Sequence, residues 1–144
     1  MFLGKHQRNL DDKGRLAVPA KFREQLPSGS VITIAPDNCL RVYPPGEWER
    51  VTGQSVVSAA TSPAERTMIR NLFAAAAPLE LDAQGRTLLP SNLRERAGIG
   101  GSAVVVGVNN VVEIWSRERW EAEETTSDFT ALADEVASQR VDPH

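Results

Sequence analysis

The chain has 144 residues, 41% of them hydrophobic and 24% charged, the balance of an ordinary soluble globular protein. Its single cysteine, Cys39, excludes an internal disulfide and fits a reducing compartment, and the long uncharged stretch Gly98 to Val112 is too short and too rich in Gly and Asn to span a bilayer. The net charge of −3 argues weakly against a polyanionic partner, but it is unevenly spread: residues 1–24 carry a local +3 and residues 121–144 a local −6.

Residues 2–10 predict an entering strand. Lys5, His6 and Arg8 follow only three apolar residues and a glycine, so the start does not read as a signal peptide and the expected compartment is the cytosol. Asp11-Asp12-Lys13-Gly14 predicts a tight turn, in which Asp accepts local backbone N–H groups and Gly14 supplies positive φ without steric cost. Arg15 follows at once, and Leu16-Ala17-Val18 returns as a short strand. A helix from Pro19 to about Leu26 places Phe22 and Leu26 on one face. Val31 to Ile34 and Leu40 to Tyr43 form a hairpin around Pro36-Asp37-Asn38, and a short helix surrounds Trp48. Residues 53–61 read as a helix end or linker. Ser62-Pro63-Ala64-Glu65 has capping-box form and starts a bridging helix to about Ala74, with Met68, Ile69, Leu72 and Phe73 apolar.

The first pattern then recurs. Leu10 to Glu24, LDDKGRLAVPAKFRE, reappears at Leu81 to Glu95 as LDAQGRTLLPSNLRE, at an offset of 71 residues. Leu, Asp, Gly, Arg, Pro, Arg and Glu are identical at seven positions. After one inserted residue near Gly100 the offset becomes 72, and SVITI, LRVY and Trp48-Glu49 meet SAVVV, VEIW and Trp120-Glu121. A fixed period of this kind marks one unit written twice. The second unit repeats strand, Gly turn, strand, helix (Pro90 to Ala97) and hairpin around Asn109-Asn110, and Arg117 to about Gln139 then reads as helical and acidic, fraying toward Pro143. Neither half can bury its apolar sheet face alone; in tandem they are expected to close a small barrel and remove their edges. The expected divisions are 1–50 and 75–120 for the halves, 51–74 for a connecting helical segment, and 121–144 for an acidic helix or tail.

The turns carry the candidate chemistry. Arg15 stands at the end of a tight loop with Asp11 four residues before it, and a guanidinium pairs bidentately with phosphate or with the O6/N7 edge of guanine. Lys13 lies in the same turn, and Lys5 and Arg8 on the adjoining strand could follow a nucleic-acid backbone. A second reading stands beside it: Asp11 and Arg15 form only an internal ion pair that fixes the turn. That reading suits Asp82, Gly85 and Arg86 better, because Gln84 replaces Lys13 there. No catalytic constellation, metal set or cofactor motif is present in the sequence. His6 and Cys39 have no partner at useful spacing, and Trp48 and Trp120 read as core or subunit-contact residues.

The opening MFLGKHQRNLDDKGRLAVPAKFRE, the second DAQGRTLLP and the paired strand–Trp endings resemble the MraZ family of SpoVT/AbrB-type transcriptional regulators over residues 1–120. The resemblance implies a β-rich α+β fold: a pseudo-two-fold β-barrel from two tandem SpoVT/AbrB-like halves of the swapped-hairpin or double-psi type, with peripheral helices. It implies ring-shaped homo-oligomers that bind double-stranded DNA at repeated promoter sites upstream of the bacterial division and cell-wall gene cluster, usually as a repressor. It implies a cytoplasmic, nucleoid-associated protein with no membrane partner. The family's DNA-binding Arg falls on Arg15, with Lys13 as its basic neighbour; Asp11, Gly14, Asp82 and Gly85 support the turns, and Arg86 and Gln84 form the weaker second one. A structural ring or scaffold without nucleic-acid contact is the alternative.

Overall fold

The computed structural model describes residues 1–125 and 128–140. Eight strands alternate with helices: β1 Lys5–Asn9, β2 Arg15–Ala17, α1 Ala20–Arg23, β3 Val31–Ala35, β4 Cys39–Tyr43, α2 Pro45–Thr52, α3 Pro63–Ala75, β5 Ala77–Pro78, β6 Arg86–Leu88, α4 Ser91–Ala97, β7 Ser102–Val108, β8 Val111–Ser116, α5 Arg117–Thr125 and α6 Phe129–Arg140. Six strands make one antiparallel sheet in the order β1-β7-β8-β4-β3-β5, and β2 pairs with β6 in a separate ribbon.

The duplication is written into the pairing. The first strand of each half joins the hairpin of the other: β1 lies on β7, and β5 lies on β3. In the ribbon, Leu16 stands opposite Thr87, its own repeat equivalent; in the sheet, Arg41 stands opposite its equivalent Glu113. A pseudo-two-fold axis therefore passes through both pairs. Val18 N–H donates to Gly85 O at 3.0 Å, and Leu89 N–H donates to Gly14 O at 3.1 Å, the same bond made twice.

One sheet face and the ribbon enclose the main core. Ala103, Val105, Val112, Ile114, Leu40, Val42 and Ile32 pack against Leu16, Val18 and Leu89 of the ribbon segments and Phe22, Leu93 and Ala97 of α1 and α4. Leu16 and Leu89 are fully buried, so truncating either to Ala would cost about 2–5 kcal/mol. On the opposite face Val104, Val106, Cys39 and Trp115 pack under Trp120 of α5.

The sheet does not close into the expected barrel. The ribbon strands are three residues each, held between the Asp turns and Pro19 or Pro90, and they meet the chain leading from the sheet only through the isolated bridges Leu10–Leu16 and Leu81–Thr87. β1 and β5 remain edges, and Pro78 removes a donor from the second. Other elements differ in extent. The first helix covers Ala20–Arg23 rather than Pro19 to Leu26: Pro19 caps it instead of entering it, and past Arg23 the chain tightens into turns, Gln25 and Leu26 N–H donating to Phe22 and Arg23 O at 3.0 and 3.1 Å. In α3, Ser62 Oγ accepts from Glu65 N–H at 3.0 Å as its sequence requires, but only Ile69 is buried and Met68 is exposed. The acidic C-terminal stretch is two helices: Asp128 Oδ1 accepts from Ala131 N–H at 2.7 Å and starts α6 anew. The expected fraying toward Pro143 lies outside the described residues.

Candidate nucleic-acid interface

Alternation along the ribbon sends Leu16 and Thr87 into the core and leaves Arg15, Ala17, Arg86 and Leu88 outward. The two turns that precede these strands are built alike. Asp11 Oδ1 accepts the backbone N–H groups of Lys13 and Arg15, both at 2.9 Å, and Asp82 Oδ1 accepts those of Gln84 and Arg86, also at 2.9 Å. Gly14 and Gly85 sit at φ +79° and +76°, where a side chain is strained. The hydrogen bond from Arg15 N–H, opposed by partial burial and reinforced by the Arg15 side chain and Lys13 N–H, holds the Asp11 carboxyl below its ordinary pKa. Arg86 N–H does the same for Asp82.

A cross-brace fixes each turn from the other half. Arg94 of α4 lies over Gly14, so that a Cβ there would stand 3.0 Å from its guanidinium carbon, and its Nε donates to Leu89 O at 3.0 Å. Arg23 of α1 covers Gly85 more tightly, donating from Nη1 to Gln84 O at 3.2 Å. These two arginines are identical members of the repeated motif. Their identity was visible in the sequence, but their exchange between halves was not.

The guanidinium groups at the turns are used differently. Arg15 donates from Nε to Asp11 Oδ2 at 2.7 Å, and its two terminal nitrogens have no hydrogen bond among the described residues. Arg86 spends all three nitrogens: Nε on Asp82 Oδ2 at 3.1 Å, Nη1 on Asp11 Oδ2 at 3.4 Å and Nη2 on Gln84 Oε1 at 3.0 Å. Both side chains line a groove of about 520 Å³ together with Glu80, Asp82 and Leu88. Leu88, 58% exposed and opposite Arg15 across the ribbon, is an outward apolar residue the sequence analysis did not single out.

The remaining cations do not gather as one track. Lys13 is exposed in the first turn. Arg8 pairs in register with Ala103, on the sheet face that the ribbon covers, and its Nη1 donates to Gln7 O at 2.9 Å. Lys5 pairs in register with Val106, on the other face, where its ammonium is bound by Glu124 of α5. Strand alternation, which separates residues three apart, thus puts Lys5 and Arg8 on opposite faces of the sheet.

The other candidates settle into the structure. His6 packs edge-on against Phe22 with centroids 5.3 Å apart. Cys39 is fully buried, and burial pushes its thiol up to about 12, far from the thiolate a nucleophile requires. Trp48 packs on Tyr43 and Phe73, and Trp120 on Trp115. Among the described residues no cluster of His, Cys, Asp and Glu could hold a metal, and no helix is long and apolar enough to cross a membrane.

Comparison with known proteins matches the duplication. The family model described as "MraZ protein" fits residues 1–71 and again 72–140. The protein called transcriptional regulator MraZ of Moorella thermoacetica is 46% identical over 138 residues, covering 94% of this chain and 96% of that protein. Its namesake from Roseiflexus castenholzii is 48% identical over 121 residues, 84% of this chain and 85% of that protein. The one from Pediococcus pentosaceus is 41% identical over 138 residues, 94% and 96% of the two chains.

Proposed function

This chain belongs to the MraZ family of transcriptional regulators, a non-enzymatic role, and from that premise we propose that it regulates transcription by binding double-stranded DNA through Arg15. The observation that carries the reading is the unspent end of the Arg15 guanidinium on an outward ribbon, beside exposed Lys13. Its Nε is fixed by Asp11, so the terminal nitrogens are oriented before a ligand arrives. Two parallel N–H groups suit a phosphate or a guanine edge in the major groove, which admits a two-stranded ribbon.

A single loop with a few cationic contacts binds weakly, at about 10⁻⁴–10⁻⁶ M. Side-by-side protomers in a ring raise this by about 10²–10⁴ when their spacing matches that of the DNA repeats. The proposed regulator is therefore a ring-shaped homo-oligomer on repeated upstream sites, acting in the cytoplasm at the nucleoid as a repressor of the division and cell-wall gene cluster. Lys13 and Arg8 supply further phosphate contacts in this reading. Lys5 does so only when Glu124 releases it. A gel shift with DNA from upstream of the protein's own gene tests it: the wild type gives a complex, and Arg15→Ala does not. A complex of equal affinity from the variant refutes the assignment.

A further inference from the structure

The two turns are close to symmetric in backbone but differ at two positions, Asp12 against Ala83 and Lys13 against Gln84, and of these it is Gln84 that meets a turn guanidinium. Residues 13 and 84 occupy the same place in the two turns. At position 84 the side chain is an amide, and the atom against Arg86 Nη2 at 3.0 Å is its oxygen. It has to be the oxygen, because a guanidinium offers only donors. At position 13 the side chain is an ammonium, which has no acceptor and repels a neighbouring cation. The first turn accordingly has no counterpart to the Gln84–Arg86 bond. The Arg86 Nη1 contact at 3.4 Å crosses to Asp11, whereas no bond runs from Arg15 to Asp82 among the described residues.

We propose that Gln84 silences the second turn by occupying Nη2 of Arg86, the terminal nitrogen that Asp11 does not hold, and that Lys13, unable to do this, leaves Arg15 as the reading residue of each protomer. The inference rests on the DNA-binding reading above and narrows it: one turn per protomer touches DNA, and residue 84 decides that the other does not. Gln84 is a specificity-determining residue without contacting DNA itself. Converting it to the residue of the first turn opens a second reading site on the same ribbon.

The test measures affinity for upstream DNA by fluorescence anisotropy at one salt concentration. Wild type, Arg15→Ala, Arg15→Ala/Gln84→Lys and the triple variant with Arg86→Ala added are compared, with thermal unfolding of each as the fold control. The expected result is loss of affinity in Arg15→Ala, a recovery of about tenfold or more on adding Gln84→Lys, and disappearance of that recovery in the triple variant. Gln84→Met removes the acceptor without adding a charge, and in the Arg15→Ala background it is expected to give a smaller gain of the same sign. No gain from either substitution overturns the inference. So does a gain that survives loss of Arg86, which would come from the added lysine alone. A wild type that binds no DNA refutes the DNA reading and this inference together. A wild type that binds, with Arg15→Ala defective and no effect at position 84, refutes the inference alone.

Discussion

Among single residues, Asp11 does the most to set the first turn. It accepts two backbone N–H groups and one nitrogen from each of the Arg15 and Arg86 guanidinium groups, and a carboxylate so bonded resists protonation. Its folded pKa lies below the unfolded value, so its stabilisation is fully present above the unfolded value and is lost as pH falls through the lowered one. An NMR titration of the carboxyl carbons is expected to place both Asp11 and Asp82 below the ordinary aspartate value; titration at or above it would contradict the turn geometry. Gly14, at φ +79°, predicts a cost of about 1–2 kcal/mol for Gly14→Ala, read as a drop of a few degrees in melting temperature. These roles were legible in the sequence, because Asp, Gly and Arg recur at fixed spacing. The fate of each guanidinium was not, since it depends on Asp11 reaching across the ribbon and on Gln84 folding back, contacts that spacing does not encode.

At the level of elements, hairpins and the capping box followed from alternation and local hydrogen bonding, and the structure keeps them nearly in place. The exchange of β1 and β5 between halves was not visible, because a strand's composition does not name its partner. The pairing of β4 with β8 puts Arg41 opposite Glu113 at the pseudo-axis, with Nη2 to Oε2 at 2.7 Å and both side chains largely covered. Removing one partner strands a charge in a covered place. Arg41→Met is therefore expected to lower stability by about 1–3 kcal/mol in urea unfolding. Glu113→Gln, which retains an acceptor for Trp115 Nε1 at 3.1 Å, is expected to cost less. Equal stability of Arg41→Met and wild type would mean that the pair contributes nothing to joining the halves. The division of the acidic tail into α5 and α6 was signalled by Asp128, a cap residue inside a run otherwise read as helical.

At the scale of the whole molecule, the duplication was readable and its closure was not. Two halves without an independent core share one, as expected for units of this size. They do so by strand exchange across an open sheet, with a short ribbon laid on one face. That arrangement sets two chemically unequal turns side by side at one end of a pseudo-axis. In a ring of such protomers, inserting half a helical turn between DNA repeats is expected to weaken binding by roughly the avidity factor of 10²–10⁴. Affinity should also fall steeply with salt, by about 0.9 in log–log slope per phosphate contacted. The most direct test of the central claim compares Arg15→Ala with Arg86→Ala in binding to upstream DNA, both variants being verified as folded. The account predicts that Arg15→Ala abolishes the complex while Arg86→Ala retains most of the affinity; equal losses, or a larger loss from Arg86→Ala, would contradict it.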